Sequence, residues 1–544
     1  VSDTPTTAGR VGAAGAVLVM LATGQFVMTL DSSVMNVSIA TVAEDVGTTV
    51  TGIQTAITLY TLVMASFVIT GGTIGRLIGA KKAFSIGCVI YGAGSLTTAL
   101  APNLAVLLVG WSLLEGLGAA LILPAIVALV ASNFGRAERP KAYGLVASAG
   151  AIAVAIGPLV GGLFTTYLSW RWVFVAEVLI VIGILISSRK VTDATPAGGG
   201  RLDLAGTGLS ALGLAGIVFG ILRAGEWGLV APRPDAPSLF GVSASILSIL
   251  AGGTVLWIFF QWEDRVLARG GEPLLDPSIL RNSQLQGGLI VFFFQFLLQA
   301  GLFFTIPLFL SVSLGLSSIE TGVRILPLSV ALLLAAAGIP RLFPDASPRR
   351  IVQVGIGALG AGIVVMILAL EAGAGPEIVT WPMLLAGFGI GAASSQLGSV
   401  TVSSVPDERA PEVGGLQNTA TNLGMSIGTA LAGAVLVAAL TSSFLTGISG
   451  NPDVPDELVA AAEVELTGGI PFLSDAALEE ALAASDLDPA TAEAILEENA
   501  DARLGGLRTA LAALAVLGVV ALFATRRLPT EQPAAAVSTT AAAD

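Results

Sequence analysis

From its amino end the chain is a succession of long apolar runs separated by short polar turns. Runs near residues 13–42, 50–74, 83–101, 104–131, 142–167 and 171–188 come first. Two more lie near 204–222 and 239–261, and six follow at 286–313, 320–341, 350–370, 379–404, 412–441 and 506–526. Runs of about 20 residues suit helices crossing a bilayer, whereas a membrane barrel needs short alternating strands. Backbone groups in lipid must be satisfied internally, so each run is predicted as a membrane helix. Six, then two, then six gives fourteen spans with both termini on one side. The expected divisions are an N-terminal segment 1–12, a six-helix bundle 13–188 and two linker helices with their loops in 189–285. A second six-helix bundle at 286–526 follows, interrupted by a loop at 442–505, and then a disordered tail at 527–544 rich in Ala and Thr.

Composition points the same way. Only 12% of the 544 residues are charged and mean hydropathy is +0.86, against roughly 25% charged in soluble proteins. The first run is too long for a cleavable signal and lacks a basic start, so it reads as the first membrane helix. Cys88 is the single cysteine, which excludes an intramolecular disulfide and multi-cysteine metal sites. Histidine is absent, removing the commonest general base and metal ligand. No glycine-rich nucleotide loop is found, so an enzyme is not expected, nor a cofactor, a metal or a nucleic-acid partner.

The basic residues fix an orientation. With a cytoplasmic N-terminus, inside segments hold Arg10, Arg76, Lys81, Lys82, Arg136, Arg139, Lys141, Arg189, Lys190 and Arg201. They also hold Arg265, Arg269, Arg281, Arg341, Arg349, Arg350, Arg409, Arg526 and Arg527, so 19 of the 25 basic residues face one side. Such a bias marks the cytoplasmic side of a cell membrane. A wrong span count would scramble it.

The two bundles echo each other. Gly72-Thr-Ile-Gly-Arg76-Leu-Ile-Gly79-Ala-Lys81-Lys82 joins the second and third runs, and Gly338-Ile-Pro-Arg341 to Arg349-Arg350 stands in the same place in the second set. Recurrence after the same helix suggests a duplicated six-helix unit, the organisation of rocking transporters. In the fifth run, small residues from Gly144 end in Gly157-Pro158-Leu-Val-Gly161-Gly162. Proline removes a helical hydrogen bond and bends the axis, while small residues let a neighbour approach.

That run resembles the fifth-helix antiporter motif of the major facilitator superfamily, which ends Gly-Pro-x-x-Gly-Gly. Ser169-Trp170-Arg171-Trp172-Val173-Phe174 is similar to the opening of that family's sixth helix. Leu30-Asp31-Ser32-Ser33-Val34-Met35-Asn36-Val37 resembles the first-helix signature of its fourteen-helix drug:proton antiporters. Further matches are Leu314-Gly315, Thr321-Gly322, Leu326-Pro327 and Gly415-Leu416-Gln417-Asn418-Thr419. The resemblance implies a major facilitator fold of two six-helix bundles plus two central helices. It implies a monomeric exporter of small molecules driven by protons, of the multidrug-efflux and antibiotic-resistance kind. Gly72, Arg76, Gly79, Lys81, Lys82, Gly157, Pro158, Gly161 and Gly162 would serve its conformational change. Three departures matter: Arg76 stands where the family has an acid, Ser112-Leu-Leu-Glu115-Gly116 replaces Arg-x-x-Gln-Gly, and Glu177 replaces an asparagine.

Charged groups near a bilayer's centre usually line a cavity or find a partner. Asp31 lies about 11 residues from the outer end of its run, roughly 16 Å, and Glu115 about 12 residues in, roughly 18 Å. Similar depth would let both share one aqueous space, where they oppose each other's ionisation. Asp31 and Glu115 are the expected coupling pair, with a cationic substrate competing for their charge. Packing acids bonded to Ser, Asn or backbone are the plainer alternative. Glu177 should sit shallower, beside Arg171, either joining the coupling or pairing with that arginine. Asn36, Phe292, Gln295, Phe296, Gln299, Phe303, Asn418 and Asn422 are the substrate-cavity candidates; amides with aromatics suit an amphiphilic ligand. The loop at 442–505 carries 14 acids against one Arg, Arg503. It should form two or three short amphipathic helices, either a solvated spacer or a negative vestibule. Export of an endogenous metabolite or lipid, and a non-transporting sensor, are the alternatives the sequence leaves open.

Overall fold

The computed structural model describes residues 7–134, 139–189, 191, 203–230, 232–233, 236–271, 273–343, 345–371, 373–405, 410–466, 472–483 and 487–531. Arg136, Lys190, Arg201 and Arg409 lie outside the described residues, as do the side chains of Arg10, Arg76, Arg139, Lys141 and Pro158.

The first run becomes α1 (Thr7–Val37) and α2 (Ile39–Asp45), parted at Ser38, whose hydroxyl meets that of Thr165 at 2.6 Å. Then come α3 (Val50–Ile78) and α4 (Ala80–Ala99), joined by Gly79 alone. Its φ of 99° is open to glycine and strained for other residues. The fourth run is continuous but not uniform: α5 (Leu104–Leu107) passes into a π-helical segment, Leu108–Glu115, and then α6 (Gly116–Asn133). The first bundle closes with α7 (Arg139–Tyr167) and α8 (Arg171–Ser188). The linker pair, α9 (Leu204–Trp227) and α10 (Ala244–Ala268), packs together with α9 against α3 and α15.

The second bundle comprises α11 (Ser283–Leu308), α12 (Ser318–Leu342), α13 (Pro348–Ala369), α14 (Thr380–Val402), α15 (Ala410–Gly450) and α18 (Pro489–Ala524), with α16 (Asp456–Glu465) and α17 (Asp475–Ala483) between the last two. Twelve helices among the described residues are long and apolar enough to cross a membrane. α4 and α7 occupy the third and fifth expected places but fall outside that measure, α4 because it opens on Lys81-Lys82 and is rich in Gly, Ser and Thr.

The acidic loop is shorter than expected because its neighbours extend into it. α15 has 41 residues and α18 has 36, about 60 and 54 Å at 1.5 Å per residue, against a hydrocarbon core of about 30 Å. α16 packs on α15, and α17 on α18. Arg503, 2% exposed, donates to the Leu473 carbonyl at 2.7 Å and pairs with Asp475.

The bundles meet along two seams, α3 against α15 and α7 against α12. At the face opposite the N-terminus, Gln54 of α3 donates to the Thr429 and Ala430 carbonyls of α15 at 2.9 and 3.3 Å. Thr166 accepts from the Ile319 N–H at 3.1 Å on that face. At the N-terminal face the duplication is physical. Lys81, second residue of α4, donates to the Val191 carbonyl beyond α8 at 2.9 Å, and Arg349, second residue of α13, donates to the Leu528 carbonyl beyond α18 at 2.7 Å. Each bundle thus clasps the chain leaving its last helix.

Candidate functional site

Glycine brings the helices of the first bundle into backbone contact. A β-carbon at Gly94 of α4 would stand 2.6 Å from the Glu115 Cγ, and one at Gly110 would stand 2.8 Å from the Thr98 nitrogen. α4 and the π-helical segment therefore touch with little side chain between them. Into this seam point Asp31 from α1, Glu115 from the π-helical segment and Glu177 from α8, exposed 1%, 0% and 1%. One carboxylate oxygen from each lies within 4.8 Å of the other two.

Their donors are few. The Trp111 indole N–H reaches both Asp31 oxygens, Oδ1 at 3.0 Å and Oδ2 at 2.8 Å. Thr98 donates to Glu115 Oε1 and Ser95 to Glu177 Oε2, each at 3.1 Å. Glu115 Oε2 and Glu177 Oε1 have no hydrogen-bond partner, nor do the buried hydroxyls of Tyr60 and Tyr91. Among the described residues no lysine or arginine donates to the three acids. Unpaired buried charge is costly. The spacing would also admit a metal ion, the one such grouping among the described residues. The Ser95 and Thr98 hydroxyls are, however, turned toward the carboxylates as donors, and the Trp111 indole can only donate.

Two expectations are corrected here. Glu177 is neither shallow nor beside Arg171: it lies six residues further along α8 and joins Asp31 and Glu115. Arg171 instead pairs with Asp45, donates to the Ala101 carbonyl at 2.8 Å and lies 4.5 Å over the Trp170 ring. The three acids also do not border the open space. A central cavity of about 420 Å³ runs between the bundles, and among the described residues no Asp, Glu, Lys or Arg lines it.

That cavity is bordered by Asn36, Phe292, Phe296, Gln299, Phe303, Asn418 and Asn422, as the sequence suggested. Gln295 is the exception. It is fully buried and donates to Ser394 at 2.7 Å, so α14 rather than the cavity holds it. Sequence reading missed Gln25, Gln417, Met28, Met64 and Met425, and above all Tyr60 and Trp111, which also border the cavity. The spacing of Trp111 four residues before Glu115 was a signal that could have been used. The glycines of α7 face two ways: Gly157 abuts Ser33 and Gly161 abuts Val34 on α1, while Gly162 abuts Ile319 across the seam to α12.

The sequence model of the Major Facilitator Superfamily matches residues 21–429. The chain belongs to that superfamily. Among its relatives is the puromycin resistance protein of Streptomyces alboniger, 28% identical over 80% of this chain and 84% of that one. A multidrug efflux pump of Mycolicibacterium smegmatis is 26% identical over 96% and 98%, and a probable actinorhodin transporter of Streptomyces coelicolor is 27% identical over 82% and 76%. In solved structures the fold recurs in a bacterial homologue of the lysosomal transporter Spinster, with a TM-score of 0.56 and 16% identity over 95% and 97%. It recurs again in a peptide transporter, with a TM-score of 0.58 and 14% identity over 94% and 96%. The expected fold class is therefore established, and the chain is a multi-pass membrane protein of a transporter family.

Proposed function

We propose that this protein exports amphiphilic small molecules across the cell membrane in exchange for protons, by alternating access of the central cavity. The observation that carries the proposal is the pairing of a closed carboxylate cluster with an uncharged cavity. Among the described residues Asp31, Glu115 and Glu177 have no cationic partner, and acids this close share their protons in steps that belong to the cluster rather than to any one residue. The cavity offers amides for orientation, and aromatic rings and methionines for adaptable apolar contact. Relatives named for resistance to puromycin, for actinorhodin transport and for multidrug efflux support that cargo class.

With no carboxylate on the cavity wall, direct competition between a cationic substrate and protons is not the exchange mechanism favoured. Substrate and protons occupy separate compartments, and the coupling passes through protein. We place both termini in the cytoplasm from the distribution of Lys and Arg, count fourteen spans by including α4 and α7, and take the unit as a monomer. The seams then close the outer face. The test is efflux from proteoliposomes driven by an imposed pH gradient, with cationic, neutral and lipid substrates. Asp31→Asn, Glu115→Gln and Glu177→Gln are each expected to abolish the response to the gradient. Intact gradient-driven efflux in all three would refute the cluster's role.

A further inference from the structure

The carboxylate cluster adjoins the cavity without lining it, and two rings border the cavity next to Asp31. Tyr60 of α3 and Trp111 of the π-helical segment stack at 5.2 Å with their planes 8° apart. Both border the cavity, yet they are exposed by only 1% and 0%. On the far side the Trp111 N–H is the donor that holds Asp31. The Tyr60 hydroxyl also faces Asp31, without reaching hydrogen-bond geometry.

We infer that the Tyr60–Trp111 stack is the coupling element, a shutter whose position is set by Asp31 on one side and by the substrate on the other. This rests on the proton-coupled reading above. An indole can only donate, so both bonds require Asp31 to present two acceptor oxygens. A bond to an ionised carboxylate is also about twice as strong as one to a neutral group. A proton on Asp31 turns one oxygen into a donor and leaves the indole a single, neutral acceptor, so the bond is weakened and the ring is held less firmly. A substrate that displaces the ring from the cavity side strips Asp31 of its donor and so favours proton uptake. The two effects are necessarily reciprocal.

The backbone beside the ring is tied to α3. Ser112, next in the chain, donates to the Ala56 carbonyl of α3 at 2.8 Å and anchors the backbone beside Trp111. The titratable groups around the shutter are Asp31 on α1, Tyr60 on α3, Tyr91 on α4, Glu115 on the π-helical segment and Glu177 on α8. No lysine or arginine donates to any of them among the described residues. Trp111 is a positioning residue, not a proton carrier.

The test reads access to the buried acids and needs no knowledge of the substrate. Full-length protein in proteoliposomes is exposed to dicyclohexylcarbodiimide from pH 5.5 to 9, and labelling of Glu115 and Glu177 is followed by peptide mass spectrometry. In the unmodified chain labelling should rise steeply as pH falls. In Trp111→Phe, which keeps a ring on Tyr60 but removes the N–H, labelling at high pH should rise about fivefold or more and its pH dependence should flatten. Asp31→Asn breaks the same link from the other side and should do likewise, so a misfolded Trp111→Phe does not end the test. Tyr60→Phe keeps the stack and should label like the parent. Parent-like labelling in folded Trp111→Phe and in Asp31→Asn overturns the inference. Absence of gradient-driven efflux in the unmodified chain would instead overturn the proton-coupled reading itself.

Discussion

Gly162 of α7 lies against the first turn of α12, where a β-carbon would stand 2.6 Å from the Ile319 Cα. This is a close approach of the α7–α12 seam at the face opposite the N-terminus, and backbone rather than a flexible side chain occupies the space. Gly162→Val must push the bundles apart there. Overpacking costs about 1–3 kcal/mol, a shift of about 5- to 150-fold between open and closed states. An Asn36→Cys probe on the cavity wall should then react faster with an impermeant maleimide added from the outer side. Unchanged labelling would mean that this contact does not hold the face shut.

Arg171 and Glu177 should separate in function although only six residues part them. Arg171→Gln removes a half-exposed ion pair with Asp45, and its loss is expected to cost about 1 kcal/mol or less. Melting temperature should fall slightly while the pH profile of transport stays in place. Glu177→Gln should instead abolish the pH response. The same pH shift in both variants would argue that they act as a pair after all.

Cavity residues should tune what is carried rather than how transport is driven. Phe292 and Phe296 stack at 6.3 Å on the cavity wall, beside Gln299. Phe296→Ala should raise KM for aromatic substrates by about tenfold, the equivalent of one lost ring contact of 1–1.5 kcal/mol. Gln295→Ala, which removes a buried bond to Ser394, should leave KM in place and cost about 1 kcal/mol of stability. Thermal unfolding and initial-rate measurements on both variants distinguish the two roles.

Arg503 tests whether the acidic segment is a spacer or a built part of the protein. Arg503→Gln removes the side chain that holds Leu473 and Asp475, with an expected loss of about 1.5–3 kcal/mol for bonds to a charged group. Limited proteolysis should cut between residues 466 and 488 at least tenfold faster, while α15 and α18 stay intact. Resistance equal to the parent would show that the segment is anchored elsewhere.

The helices were legible because lipid imposes length and apolarity on each one separately, so position and order could be read without knowing any neighbour. Their ends were less so: α15 continues past the expected span on a Ser-, Thr- and Gly-bearing stretch, and α18 begins before it on an Ala- and Glu-rich one, both of which look like loop. Asp31, Asn36 and Asn418 were found because a polar group in an apolar run stands out. Tyr60 and Trp111 were not, since an aromatic in such a run is ordinary until its partner is known. Glu177 was misplaced for a related reason. Arg171 is its neighbour in sequence, but the packing of α4 against α8 gives it Ser95 instead.

The π-helical segment at Leu108–Glu115 has an evolutionary reading. A wider turn accommodates one more residue than an α-helical stretch of equal length. Removing a single residue there would let the turn close to α-helical width while the helix on either side keeps its phase. Only side chains within the turn, Trp111 and Glu115 among them, would change direction. A one-codon deletion could therefore alter the contacts of these two residues and leave the rest of the bundle packed as it is. A comparison that scores only substitutions would not register such a change.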